Sequence, residues 1–225
     1  GKPLVEIKGK SMIQRVYEQA KNCNNLSDVI VATDDQRIFD HIKTFNGNVV
    51  MTSENHQSGT DRCAEVLAKV DVDYDVAINI QGDEPYIDPT QITQLCNCFK
   101  DAKTDIATLI KKIDVPEDLF NENKVKVVKD NNDFAIYFSR NPIPFLKGVE
   151  KGAWLEKQIY YKHIGIYGYR KDVLTTITEL PLSPLEQAEG LEQLRWLENG
   201  MIIKVAETQL EAIAIDSPAD LKKIK

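Results

Sequence analysis

Cysteine is scarce in this chain, four in 225 residues, and Cys23, Cys63, Cys96 and Cys98 form no C-x-x-C pair. Only three histidines are present, and none clusters with the cysteines. A zinc site or a disulfide framework is therefore not expected, whereas buried or free thiols in a reducing cytoplasm are. No apolar run approaches the ~18 residues of a membrane span, and no signal-peptide pattern is visible. Positive charge is also short: 28 Lys and Arg stand against 35 Asp and Glu, a net charge of −7. Such a chain is a poor candidate for nucleic acid or an anionic membrane. Any phosphate ligand must meet a local positive site. Internal repeats and low-complexity linkers are absent as well.

What remains is 42% hydrophobic and 28% charged, enough for a single domain over residues 1–225 with a continuous core and a small flap. "SMIQRVYEQAKN" (11–22) places Met12, Ile13, Val16 and Tyr17 at helical spacing. "DVIVATDD" (28–35) reads as a buried strand, and Thr33 with Gln36 predicts a capping box for a helix beginning near Asp34. "NVVMT" is a second strand, "CAEVLAKV" a helix, "DVAINIQ" a third strand, and "DPTQITQLCNCF" a helix opened by proline. "DIATLIKKI", "KVKVVKD", "FAIYFSR" and "KHIGIYGYR" then read as strands with few helices between them. Helices near 170–179 and 184–198, the strand "MIIKVAET" and a helix in "SPADLKKIK" follow. Early alternation predicts an α/β fold with a parallel, doubly wound sheet. The strand-rich middle predicts antiparallel additions or a small protruding sheet.

Ligands of open α/β sheets bind beyond the carboxyl ends of the strands, and polar clusters stand at such ends here. In "INIQGDEPYID" (78–88) an apolar run stops at Gly82 and two carboxylates follow. A charged turn is one reading, and a metal-holding carboxylate at the lip of the sheet is the other. Adjacent strand residues point to opposite faces, and Gly82 allows close backbone approach, which favours Asp83 over Glu84 as the ligand. One carboxylate plus substrate phosphates suits magnesium. "HQSGTDR" (56–62) joins an imidazole, a hydroxyl and an Asp–Arg pair. Ser58 and Asp61 fit a capping box, and a helix starting there also aims free N–H groups at an anion. In "SPLEQAEGLEQLR" (183–195), Glu186, Glu189 and Gln193 share one helix face, either solvated or suited to a polyol. His163 alternates with Gly165 and Tyr167 in "YYKHIGIYGYR", and Asp216 in "IDSPADL" precedes a helix that it is placed to cap.

Taken in order, "GKPLVEIKGKSMIQRVYEQA", "VIVATDD", "HQSGTDR", "INIQGDEPYI", "YFSRNPIPF", "YYKHIGIYGYR", "SPLEQAEGLEQLRWLENG" and "AIDSPADL" resemble one family, over essentially the whole chain. It is the 3-deoxy-manno-octulosonate (Kdo) cytidylyltransferase family, and QGDEP and HQSGTDR are its most specific blocks. The resemblance implies a Rossmann-like nucleotide-diphospho-sugar transferase fold in a homodimer, its sheet mixed and mostly parallel with a small protruding antiparallel flap. It implies the reaction CTP + Kdo → CMP-Kdo + pyrophosphate, an in-line nucleotidyl transfer of lipopolysaccharide biosynthesis with Mg2+ as cofactor. By the same resemblance, Asp83 and Asp216 are the magnesium ligands and Lys2 is the phosphate-binding lysine, these three forming the catalytic set. Ser58, Gly59 and Arg62, with Lys2 and Asp83, are implied to face the nucleotide. Gln81, His163, Tyr167, Glu189, Glu192 and Gln193 are implied to face the sugar, with Arg140 meeting the Kdo carboxylate.

The family opens with a strand and a loop resembling "IIPARxxSTRxPGKPL", whereas this chain starts at Gly1-Lys2-Pro3-Leu4. The native protein is therefore expected to carry that strand and triphosphate-binding loop ahead of Gly1. Ser11 stands where proline is usual in the second "GKP", and Ala214 where glycine is usual. CMP transfer to another 2-keto sugar acid, sialic acid or 8-amino-Kdo, is the alternative within the class. A non-catalytic nucleotide-binding module is the alternative outside it.

Overall fold

A computed structural model describes residues 2–211. A short hairpin, β1 (Glu6–Ile7) with β2 (Lys10–Ser11), leads into α1 (Met12–Lys21). Ser11 caps that helix, its Oγ accepting the Gln14 N–H at 3.2 Å. The stripe Met12, Ile13, Val16 and Ala20 is buried, as its helical spacing requires. The parallel strands β3 (Ile30–Thr33) and β4 (Asn48–Met51) are joined by α2 (Gln36–Thr44), the crossover that parallel strands need. The expected Thr33–Gln36 box does not form. Thr33 Oγ1 is used one turn earlier, accepting the Asp35 N–H, so Asp35 becomes the N-cap and accepts from the Arg37 N–H at 2.9 Å.

Next come α3 (Gly59–Lys69), β5 (Val76–Asn79) and α4 (Pro89–Cys98), the last with proline in its first turn and an Asp88–Gln91 capping box. The strand-rich stretch comprises β6 (Ile106–Lys112), the short α5 (Pro116–Phe120), β7 (Lys126–Lys129), β8 (Ala135–Ser139), the short α6 (Trp154–Lys157) and β9 (Tyr161–Arg170). Then α7 (Lys171–Thr178), α8 (Pro184–Glu189), α9 (Glu192–Glu198) and β10 (Ile203–Glu207) follow. The segment read as one helix over 184–198 is thus two. Gly190, at φ 60°, takes the left-handed conformation that ends α8, its N–H returning to the Glu186 carbonyl at 2.7 Å. Glu189 and Gln193 therefore sit on different helices, and the expected shared face with Glu186 does not exist.

The α/β architecture is the expected one and its sheet is mixed, with antiparallel pairing running through its centre at β9 and a small separate antiparallel pair, β1 with β2. Six strands run in the order β10-β6-β9-β7-β8, with β5 also on β9. β10 and β6 are parallel, and β9 is antiparallel to β6, β7 and β5. The ten-residue β9 is long enough to carry β7 on its first half and β5 on its second. Trp196, Tyr169 and Phe138 anchor one core cluster, and Ile92, Leu95 and Leu109 a second. β3 pairs only with β4, and β5 only with β9, so each keeps one edge without a strand partner among the described residues. A cavity of about 610 Å3 lies there, walled by Val16, Val31, Val66, Ile78 and Phe99 among others. No helix among the described residues is long and apolar enough to cross a membrane.

Candidate active site

β5 ends at Asn79, and residues 81–84 form a turn closed by the Glu84 N–H on the Gln81 carbonyl at 3.3 Å. The two carboxylates are separated by this turn and not by strand alternation. Glu84 is buried, while Asp83 is about one-third exposed (34%) and pairs with Lys2 Nζ at 2.8 Å. Burial, and then the neighbouring Asp83 charge, pushes the Glu84 carboxyl up to about 7. Its Oε2 has no hydrogen-bond partner among the described residues. Gln81 is exposed on the same turn and borders the cavity.

The start of α3 faces this turn. Ser58 Oγ accepts the Asp61 N–H at 3.1 Å, and Asp61 accepts the Ser58 N–H at 3.2 Å, so the predicted capping box is formed. A Cβ on Gly59 would stand 2.9 Å from Asn79 Nδ2, so α3 approaches the end of β5 closely enough that a larger residue would have to displace the Asn79 side chain. Arg62 donates to Thr52 Oγ1 at 2.8 Å, to the Ser53 carbonyl at 3.1 Å and to the Asp34 carboxylate. It thereby ties the ends of β3 and β4 to α3.

A third group of residues is built on an irregularity of β9. Thr108 pairs with Tyr167, but Leu109 pairs with Ile164, so Gly165 and Ile166 bulge out of register. Bulges re-aim the side chains around them. Thr108 Oγ1 lies 2.8 Å from the Ile166 carbonyl and 2.9 Å from His163 Nε2. A carbonyl can only accept, so the hydroxyl hydrogen goes to it and His163 Nε2 carries a proton, which leaves Nδ1 as the acceptor. Burial pushes the His163 imidazole down to about 4, so the ring is neutral at pH 7. His163 and Tyr167 touch, with ring centroids 5.2 Å apart, and the edge of Trp196 meets Tyr167 at 5.2 Å. The Tyr167 hydroxyl is buried without a partner among the described residues.

Glu192 joins this group to α3. One of its oxygens accepts from Thr60 Oγ1 at 3.1 Å and the other from Arg195 at 3.2 Å. Burial raises its carboxyl above the usual range. Gln193 is buried beside it on α9. Glu189 belongs elsewhere: it accepts from Ser139 Oγ at 2.7 Å and from the Arg140 N–H at 2.9 Å. The Arg140 guanidinium donates to the Glu189, Glu122 and Gly190 carbonyls.

The structure thus brings together Lys2 with Asp83, Ser58 with Gly59 and Arg62, His163 with Tyr167, and Arg140 with Glu189. Asp216 lies outside the described residues. Sequence reasoning missed Thr108, Thr60, Ser139 and Trp196. The signal for Thr108 was a hydroxyl inside the apolar run "IATLI"; Thr60, Ser139 and Trp196 stood inside the quoted blocks HQSGTDR, YFSRNPIPF and SPLEQAEGLEQLRWLENG, where their neighbours drew the assignment.

A family model described as cytidylyltransferase matches residues 1–207. A 3-deoxy-manno-octulosonate cytidylyltransferase of Parabacteroides distasonis is 55% identical over 227 residues, covering 99% of this chain and 90% of that protein. The chain belongs to this cytidylyltransferase family. A member with the same name in Phocaeicola vulgatus is 54% identical over 99% of this chain and 88% of its own length. A solved structure of CMP:2-keto-3-deoxy-manno-octonic acid synthetase complexed with CTP matches at TM-score 0.91 and 43% identity. It covers 100% of this chain and 90% of that one. Membership makes the chain a nucleotidyltransferase and assigns its sheet to that family's architecture.

Proposed function

We propose that the chain transfers CMP from CTP to Kdo, releasing pyrophosphate, as a step of lipopolysaccharide biosynthesis in the cytoplasm. The observation that carries this reading is the Lys2–Asp83 pair beyond the carboxyl end of β5, in a chain similar over its whole length to Kdo cytidylyltransferases. In this reaction the anomeric hydroxyl oxygen of the sugar attacks the α-phosphorus. The bond to the bridging oxygen breaks, and pyrophosphate leaves in line. Such a transfer asks the protein mainly for positioning and charge neutralisation. In this reading Lys2 offsets phosphate charge and the first turn of α3, capped by Ser58, offers the Gly59 N–H to the nucleotide. Arg62 orients that turn. His163 Nδ1, the Tyr167 hydroxyl, Glu192, Gln193 and Gln81 bind sugar hydroxyls, and Arg140 takes the carboxylate.

Magnesium is the ion that this chemistry implies. Among the described residues no group of three or more His, Cys, Asp or Glu is placed to hold an ion. The partly exposed Asp83 fits as one carboxylate of a site completed by phosphate oxygens, water and Asp216. When bound there, the ion neutralises charge developing on the departing pyrophosphate.

The reading also includes a homodimer, on the family's pattern.

Pyrophosphate release from CTP and magnesium tests the proposal, comparing Kdo, 8-amino-Kdo and sialic acid. Kdo-dependent release that stops with EDTA is the expected result. Release with another sugar acid only moves the enzyme to a different pathway. A folded protein that binds CTP and releases nothing with any of the three is a binding module.

A further inference from the structure

β7 opens on a lysine with no exposure: Lys126 is 0% accessible. In register it lies opposite Ser139 of β8 and Lys162 of β9, and directly opposite side chains of antiparallel strands share a face. The two lysines have different surroundings. Lys162 Nζ meets the carboxylates of Asp118 and Glu211, each at 2.5 Å. Among the described residues Lys126 Nζ donates once, to the Asn121 carbonyl at 2.8 Å, although an ammonium has three donors. Burial pushes the Lys126 ammonium below its ordinary value, and of the charged groups acting on it Glu189 favours the protonated form while Arg140 opposes it.

Arg140 is held by the same short loop. Its Nη1 donates to the Glu122 carbonyl at 3.1 Å, next along the chain from the carbonyl that holds Lys126. Nε and Nη2 donate to the Glu189 and Gly190 carbonyls. Three of the five guanidinium N–H groups are then engaged, and two remain for a carboxylate. The Glu189 carboxylate is already taken by Ser139 and by the Arg140 N–H. Lys126 and Arg140 against Glu189 leave this cluster one positive charge in excess. One sugar-acid carboxylate balances it.

We propose that Lys126 is a positioning and specificity residue for the acid group of the sugar. Acting through Arg140, Glu189 and the 121–122 carbonyls, it supplies the excess positive charge that selects a 2-keto acid over a neutral sugar. This rests on the reading above that Arg140 meets the carboxylate. A buried cation without a carboxylate contact gains little in stability from being charged, and an apolar isostere is tolerated at such sites. Lys126→Met is therefore the informative change.

The test is steady-state pyrophosphate release by the full chain, with Kdo and CTP varied separately, alongside thermal melting. The expected result is a rise of about tenfold or more in the KM for Kdo, with kcat and the KM for CTP within about twofold of wild type. Loss of preference for Kdo over its carboxamide should accompany it. An unchanged KM for Kdo in the folded variant overturns the proposal. So does a fall in kcat and a rise in both KM values together with a lowered melting midpoint, the signature of a purely structural lysine. Should Lys126→Met not fold, Lys126→Gln, which keeps a donor for the Asn121 carbonyl and drops the charge, is judged by the same outcomes. If wild type turns over no sugar acid, the functional reading itself fails and takes this role with it. If wild type is active and the variant is unaltered, only the role of Lys126 fails.

Discussion

Thr108 Oγ1 of β6 and His163 Nε2 of β9 stand 2.9 Å apart at the point where the register of the two strands shifts. The contact fixes a neutral imidazole in a buried place, and that has a cost in acid. Unfolded, the ring takes a proton below its ordinary 6.5, whereas folded it waits until about 4. Between those values the unfolded state binds more protons, so stability falls as pH falls. At about 1.4 kcal/mol per decade of pH the loss is on the order of 3 kcal/mol. His163→Gln should remove it. Denaturant midpoints of wild type and variant should converge or cross as pH drops from 7 to 4, and parallel curves would sink the assignment.

Glu84 has the opposite sign. Its carboxyl is raised from 4.5 to about 7 by burial and by the Asp83 charge, so the folded state holds the proton more tightly. Its contribution to stability is fully present below 4.5 and is lost as pH rises through 7. Glu84→Gln should therefore match wild type near pH 4.5 and exceed it at pH 8, by up to ~3 kcal/mol. Chemical denaturation at the two pH values decides this. An advantage of the same size at both, or none at pH 8, would show that Glu84 is not charged in a buried site. Because Glu84 and His163 oppose each other, only the differences between variant and wild type are diagnostic, not the pH curve of the protein alone.

Elements were legible where a period repeats within a few residues. Met12, Ile13 and Val16 marked α1, the apolar run marked β6, and Ser58 with Asp61 marked the start of α3. The break at Gly190 was not, because helical spacing of glutamates runs straight through it and a glycine inside a helix costs only ~1 kcal/mol. The bulge in β9 was hidden because His163, Gly165 and Tyr167 alternate as a regular strand does. Lys126 was hidden for another reason. "KVKVVKD" reads only as a strand, nothing in it separates Lys126 from Lys124 or Lys129, and only pairing with β8 and β9 buries that lysine. Pairing between distant strands leaves no local mark. For the same reason the sequence grouped Glu189 with Gln193, where the fold groups Glu189 with Ser139 and Arg140.

Asp83→Asn separates chemistry from folding. The Lys2–Asp83 pair is partly exposed on both sides, and such pairs contribute only ~0–1 kcal/mol. The melting midpoint should therefore move little. Turnover should fall by roughly 100-fold or more, because one carboxylate of the proposed magnesium site is lost and with it charge neutralisation at the transferring phosphoryl group. Pyrophosphate release and calorimetry on the same preparation make the comparison. Normal turnover removes Asp83 from the mechanism.

Tyr167→Phe should move stability and function in opposite directions. The Tyr167 hydroxyl is buried without a partner among the described residues, and its aromatic ring is held by His163 and Trp196. An unsatisfied buried hydroxyl carries a desolvation cost of ~1–3 kcal/mol, and phenylalanine keeps the ring contacts while removing it. The variant should therefore be as stable as wild type or more so. If the same hydroxyl is unpaired because a sugar hydroxyl completes it, its loss removes a hydrogen bond of ~1 kcal/mol and raises the KM for the sugar about fivefold, leaving that for CTP unchanged. A more stable variant with an unaltered sugar KM would place the sugar away from Tyr167 and leave the orphan hydroxyl as a packing fault. A less stable variant would mean that the hydroxyl is satisfied in solution, and the vacancy for a sugar hydroxyl would not exist.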